Sequence, residues 1–285
     1  MRTSLTFALA PSLCYNFPIV TQFVFRLALS SLERIAGIAT MTHEKDDLVN
    51  ALLVRVGADQ SRGGGFWNGL VDTQSGKFSY VAIPENNPVH PGMEKPYSAV
   101  EHALSTFGAS LPPGLRSRHM HLDPDFEQLT YGDAGERAKQ LRRHLSSPGD
   151  LIVFYAGLRD VAGRRELVYA IIGVFVIEAM MLATDIADSD RDINAHSRRI
   201  LSEGAQDVII RARPGISGRL ERCLPIGEWR DRAYRVRRDV LEAWGGLSVK
   251  DGYLQRSARL PKFHDPMRFQ RWLDSKDPIL VQANN

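Results

Sequence analysis

A chain of 285 residues, 44% hydrophobic and 24% charged with a formal net charge of +3, has ordinary globular composition and enough length for one large domain or two smaller ones. Cys14 and Cys223 are its only cysteines, which excludes a disulfide framework, four-cysteine zinc sites, CxxC redox motifs and iron–sulfur clusters, and points to a reducing, cytoplasmic setting. Neither a Walker A sequence nor a GxGxxG after a strand occurs, so no common nucleotide cradle is visible and the cofactor stays unassigned.

Residues 1–40 carry Arg2, Arg26 and Arg34 against a single acid, Glu33, and their apolar runs are broken by Pro11, Asn16, Pro18 and Gln22, so no membrane helix is expected there. They read as an extension, either a start-site artefact ahead of Met41 or a targeting segment, in front of a single domain over 45–280. Ala51–Gly57 is a short apolar strand ending in a glycine turn, and the run Asp59 to Gly65 that follows is a glycine-rich loop. Phe78–Ile83 alternates as a strand, Tyr97–Phe107 reads as a short helix after a proline-rich stretch, and Ala134–Leu145 reads as a helix with Arg142, Arg143 and His144 at its C-terminal end.

The turn Ser147-Pro148-Gly149-Asp150 launches Leu151–Leu158, and a polar connection leads into Leu167–Ile177. Together these form a β-hairpin whose near-continuous apolar character requires cover on both faces. Asp207–Ala212 adds a strand. Glu228–Trp244 reads as a long arginine-rich helix with Trp229, Ala233, Val236, Val240 and Trp244 on one stripe, closed by Gly245-Gly246. The fold expected from this pattern is α+β, a mixed sheet that includes a central hydrophobic hairpin and is flanked by helices.

Charge divides the chain. Residues 41–195 hold 15 basic and 21 acidic side chains, whereas residues 196–271 hold 17 basic and 9 acidic, with Arg supplying 15 of the 17. Guanidinium forks suit phosphate oxygens, so a polyanionic partner is one reading; pairing with the acidic half is the other.

Three places carry candidate chemistry. The loop containing Ser61, Gly63 and Gly64 follows a strand, so its N–H groups suit an anion, although it lacks the P-loop lysine; Ser61 is a nucleophile only if a base such as His121 lies beside it. The string His119-Met120-His121-Leu122-Asp123-Pro124-Asp125, followed by Tyr131-Gly132-Asp133, places His119, His121 and Asp123 on one face if extended. Such a set suits a divalent metal or an acid/base pair, and equally a turn built on Asp-Pro-Asp. Arg256 and Arg259, between a glycine turn and Pro261, are candidates for phosphate contact.

Several fragments, taken in order, resemble the nucleotide modification associated domain 3 family: GADQSRGGG after the first strand, YVAIPE, HLDPDFEQLTYGD, GDLIVFYAGL with YAIIGVFVIE, and GRLERCLPI with LQRSARLP. The resemblance spans Leu52 to Leu273 and implies a role near nucleotide or DNA base modification. It singles out Asp59, Ser61, Gly63, Gly64, His121, Asp123, Tyr131, Asp133 and Arg256. His119 falls outside its pattern, so no metal ligands are assigned, and Arg62 and Gly65 depart from its loop.

The reading that results is acid/base chemistry by His121, oriented by Asp123, with Asp59 or Asp133 as second carboxylate. Ser61, Gly63, Gly64, Tyr131 and Arg256 would hold a nucleotide or nucleic acid away from any membrane. A non-catalytic reader of modified bases, by a loose analogy to PUA-like domains, and a divalent-metal hydrolase are the alternatives. Oligomeric state is not legible.

Overall fold

The computed structural model describes residues 49–59, 67–145, 147–163, 167–254 and 258–285; the extension at 1–40 lies outside them. The hairpin of two long strands, β6 (Leu151–Asp160) and β7 (Leu167–Leu182), forms the middle of the sheet. Alternate residues along these strands enter different clusters. Ile152, Phe154 and Ile172 join one hydrophobic core, and Leu151, Val153, Tyr155 and Ile171 join the other. The pleat sends successive side chains to opposite faces, and a strand with a core on each face carries an unbroken apolar run.

Among the described residues the sheet around the hairpin has eight strands, with β1 (Ala51–Arg55), β6, β7, β8 (Val208–Ala212) and β5 (Thr130–Asp133) as its main order. β1 runs parallel to β6, as does the two-residue β2 (Leu70–Val71) further along it. β8 and β5 continue the other side in antiparallel fashion. β7 is shared. Its earlier part ladders with β9 (Gly218–Pro225), which in turn pairs β12 (Leu280–Val281), and its later part ladders with β8, with one register shift inside each ladder, between Ile171 and Gly173 and between Ile177 and Ala179. A separate short ladder joins β3 (Ile83–Pro84) to β4 (Met120–His121).

The ends of this strand order come together. If flat, four strand spacings would separate β1 from β5 by about 19 Å, yet Arg55 of β1 and Asp133 of β5 line the same cavity, so the sheet curls. Residues 258–263 bridge the gap. Pro261 O accepts from Leu53 N at 2.8 Å, Phe263 N donates to Ala51 O at 3.0 Å, and the Gln140 side chain in the helix after β5 holds Ala258 O and Leu260 N at 2.8 and 2.9 Å. That helix, Gly135–His144, matches the sequence expectation and keeps its basic residues in the last turn.

Two expected elements differ. Phe78–Ile83 is not one strand, because its backbone partners are scattered: Ser79 N donates to Leu70 O, Tyr80 exchanges bonds with the Asn285 side chain, and Val81 O accepts from Ala58 N. Nor is Glu228–Trp244 a single helix. It is a hairpin, β10 (Gly227–Arg230) and β11 (Ala233–Val236), followed by a short helix, Arg238–Ala243. Asp231 and Arg232 form its two-residue turn with φ of 51° and 61°, the left-handed pair that suits strand twist. Ala233, Val236, Val240 and Trp244 are buried as the stripe requires, but Trp229 is 55% exposed, which a helical stripe does not explain. Gly245 and Gly246, both at positive φ, end the helix as expected.

Among the described residues no helix is long and apolar enough to cross a membrane. The hairpin turn generates a prediction with opposite signs for the two readings of this segment. Arg232→Gly relieves left-handed strain and raises stability by up to about 1 kcal/mol in urea denaturation, whereas in a helix it would lower stability by about 1 kcal/mol.

Candidate functional site

A cavity of about 520 Å³ opens between the ends of the sheet. Its floor is made by His121, Asp123 and His196, and its walls include Arg55, Asp59, Tyr131, Asp133, Arg137, Tyr155 and Arg199; Tyr253 and Arg259 also line it. His121 ends β4 and Asp123 follows two residues later. Tyr131 and Asp133 alternate on β5. His196 stands on the one-turn helix Ala195–Arg198, whose cap is Asn194, with Oδ1 accepting from His196 N at 2.9 Å.

Each floor residue is gripped from behind. The Nδ1 atom of His121 lies 2.6 Å from Glu85 Oε2. Since an ionised carboxylate only accepts, Nδ1 carries the hydrogen, and in the neutral ring Nε2 is left with its lone pair; Arg199 Nη2 lies 3.1 Å from the same Nδ1. Arg199 clasps the same carboxylate, with Nη2 3.0 Å from Oε1 and Nε 3.1 Å from Oε2. His196 repeats the arrangement, its Nδ1 2.6 Å from Asp207 Oδ2. The Oδ1 atom of Asp123 accepts from Gly132 N at 2.8 Å and Asn194 Nδ2 at 2.9 Å, while Oδ2 faces His196 Nε2 at 3.9 Å. The two imidazoles meet edge to face with centroids 4.9 Å apart.

Burial and these partners set the proton affinities. Withdrawal from water pushes His121 below the ordinary imidazole value, against the pull of Glu85. Burial likewise raises Asp123, opposed by the two histidines and by its donors. Burial would also raise Glu85, but the hydrogen bonds from His121 and Arg199 prevail and hold it well below the carboxylate range. The hydrogen bond from His196 lowers Asp207.

On the walls, charges are matched. Arg55 Nη2 meets Asp59 Oδ2 at 2.8 Å and also donates to the Tyr169 hydroxyl at 3.0 Å. Arg137 Nε meets Asp133 Oδ2 at 2.9 Å, and the buried Tyr131 hydroxyl donates to that same oxygen at 2.6 Å. Burial pushes the Tyr131 phenol well above its ordinary value, so it remains a donor.

Of the residues singled out in the sequence, Asp59, His121, Asp123, Tyr131 and Asp133 all line this one cavity. Ser61, Gly63, Gly64 and Arg256 lie outside the described residues. His119 is exposed and does not line it. Glu85, rather than Asp123, holds the Nδ1 of His121. Sequence reasoning missed Glu85, His196, Arg199 and Asp207, which belong to no local motif; a histidine preceded by a capping Asn194 was the only signal for one of them. Several members of the arginine-rich stretch are engaged internally. Arg198 is buried on Asp125 at 2.8 Å and Asp192 at 2.9 Å, Arg230 meets Glu228 and Asp251, and Arg237 meets Asp239.

In comparison with models of known protein families, residues 50–272 match nucleotide modification associated domain 3. The chain belongs to that family. No curated protein and no solved structure matches it. Membership associates this cavity's owner with nucleotide modification, and the matched span includes every described residue of the floor.

The floor depends on Gly132. A Cβ there would stand 2.6 Å from His196 Cδ2 and 2.7 Å from Asn194 Oδ1, so only glycine allows the helix to close on β5. Gly132→Ala is expected to lower stability by about 1–3 kcal/mol, as overpacking does. It should also move the imidazole NMR signals of His196 while leaving those of the exposed His102 in place; unmoved His196 signals would contradict this packing.

Proposed function

We propose that the chain binds a nucleotide, or one nucleotide unit of a nucleic acid, in this cavity and carries out proton-transfer chemistry on its base at the His121–Asp123–His196 floor. The observation that carries the reading is convergence: buried imidazoles and a carboxylate at the floor, and matched guanidinium–carboxylate pairs on the walls, within one cavity of about 520 Å³. Pockets of a few hundred cubic ångströms hold ligands of this size. Arg55, Arg137 and Arg199 are each tied to a carboxylate, so the walls alternate donors and acceptors with little net charge, which complements a base edge. The exposed Arg259 suits a phosphate, and Tyr131 and Asp133 position the base beside it. Ser61, Gly63, Gly64 and Arg256 keep the phosphate role in this proposal on their residue types alone. Family membership supports the ligand class.

Calorimetric titration of the full chain with nucleosides, nucleoside monophosphates and a short single-stranded oligonucleotide tests the reading. Saturable binding is expected, with Arg259→Ala weakening only the phosphate-bearing ligands. Asp133→Asn should weaken all of them by about tenfold or more, the size of a lost charged hydrogen bond. No binding at millimolar ligand, or binding indifferent to both substitutions, would overturn it. Mass spectrometry of the recovered ligand separates chemistry from recognition: an unaltered base would make the chain a reader of bases instead.

A further inference from the structure

The floor has a property that acid/base chemistry alone does not require: each of its three side chains is held from behind at one atom, and ligand atoms of all three lie close together. Glu85 and Asp207 each take an Nδ1, leaving Nε2 on His121 and on His196. Gly132 N and Asn194 Nδ2 take Oδ1 of Asp123, leaving Oδ2. One ligand atom from each of the three residues lies within 4.8 Å of the other two. Carboxylate-backed imidazoles are the arrangement by which proteins orient histidine toward a metal, fixing the tautomer and raising the basicity of the free nitrogen.

We propose that His121, Asp123 and His196 hold a divalent transition-metal ion whose remaining coordination positions face the cavity. Two imidazole nitrogens and one carboxylate oxygen suit zinc, iron, cobalt or manganese rather than calcium or magnesium, which favour all-oxygen sets. An ion about 2.1 Å from each ligand sets those atoms about 3.0–3.4 Å apart, so the 3.9 Å between His196 Nε2 and Asp123 Oδ2 closes by small side-chain rotations. A dication also answers the burial of Asp123, which is 9% exposed and whose Oδ2 faces His196 Nε2 at 3.9 Å. Three protein ligands on the surface of a cavity leave room for water or a substrate atom, the open geometry of a reactive centre as opposed to a structural one. The inference rests on the reading above and names what the floor would work with: a bound ion would lower the pKa of a water held on it, so that this water, held by the two imidazoles and the carboxylate, would give or take the proton.

The test uses the whole chain stripped with chelator and titrated with Zn²⁺ or Co²⁺, with no nucleotide present. One ion per chain is expected, with a visible Co²⁺ spectrum that reports nitrogen and oxygen ligands. His196→Ala and Asp123→Asn should abolish stoichiometric binding, and His119→Ala should leave it intact. Glu85→Gln, which keeps every ligand, should weaken affinity by about 10- to 100-fold, the usual effect of losing a hydrogen-bonded partner behind a metal-bound histidine. Absence of stoichiometric binding by the wild-type chain, or equal binding by Asp123→Asn, would overturn the proposal. The wild-type titration and its spectrum decide the matter even where a variant fails to fold. Nucleotide binding that persists in chelator, with no metal uptake, would sink the metal and spare the ligand assignment; the converse result would do the opposite.

Discussion

A carboxylate withdrawn from water stays in place only where donors replace the water, and at Asp123 this requirement joins its own strand end to β5 and to the remote segment at Asn194. Its Oδ1 is shared by the backbone of β5 at Gly132 and by the side chain of Asn194. Asn194 in turn caps the helix that carries His196, and its Nδ2 reaches Thr130 Oγ1 at 3.3 Å. The placement of the second imidazole is thus a consequence of satisfying one buried acid. The bare α-carbon at 132 is the steric half of the same constraint, since any side chain would occupy the space that the capping residue needs.

Behind this centre the acidic and basic parts of the sequence interlock. Arg199 belongs to the arginine-rich stretch and Glu85 to the acidic one, and together they fix His121; Arg198 and Asp125 make a fully buried pair alongside. Uneven charge along the chain is resolved in three dimensions by pairing across the site, and this leaves the cavity walls near neutrality. A continuous basic face of the kind that grips a nucleic-acid backbone is not what these particular guanidinium groups build.

The sequence made the central hairpin legible because eleven uninterrupted apolar residues between two glutamates fit a strand covered on both faces and little else. The helix after β5 was legible from its basic last turn. The segment from Glu228 to Trp244 was not, because Ala233, Val236, Val240 and Trp244 satisfy a helical spacing while owing their burial to two different elements. The left-handed turn that separates these elements uses Asp-Arg, which carries no glycine to announce it. Two of the three floor residues were readable from HLDPD, where alternate residues of an extended chain share a side. The third was not, because His196 and the two carboxylates that steer the imidazoles are remote in sequence and ordinary in their local setting. The family match extends the reading to a biochemical neighbourhood, nucleotide modification.

The curl of the sheet has one more consequence. Because the cavity sits where the first and last strands of the main order approach, its width depends on the curl of the sheet between them, and β7 carries a register slip, a place where strands bend, in each of its two ladders. The first of these slips lies in the core beside Gly173, where Phe126 packs so closely that a Cβ would come within 2.4 Å of its ring. The shape of the cavity is therefore partly written into residues that do not line it, and a chain that drifted at these hidden positions would reshape the hollow without altering a single residue on its surface.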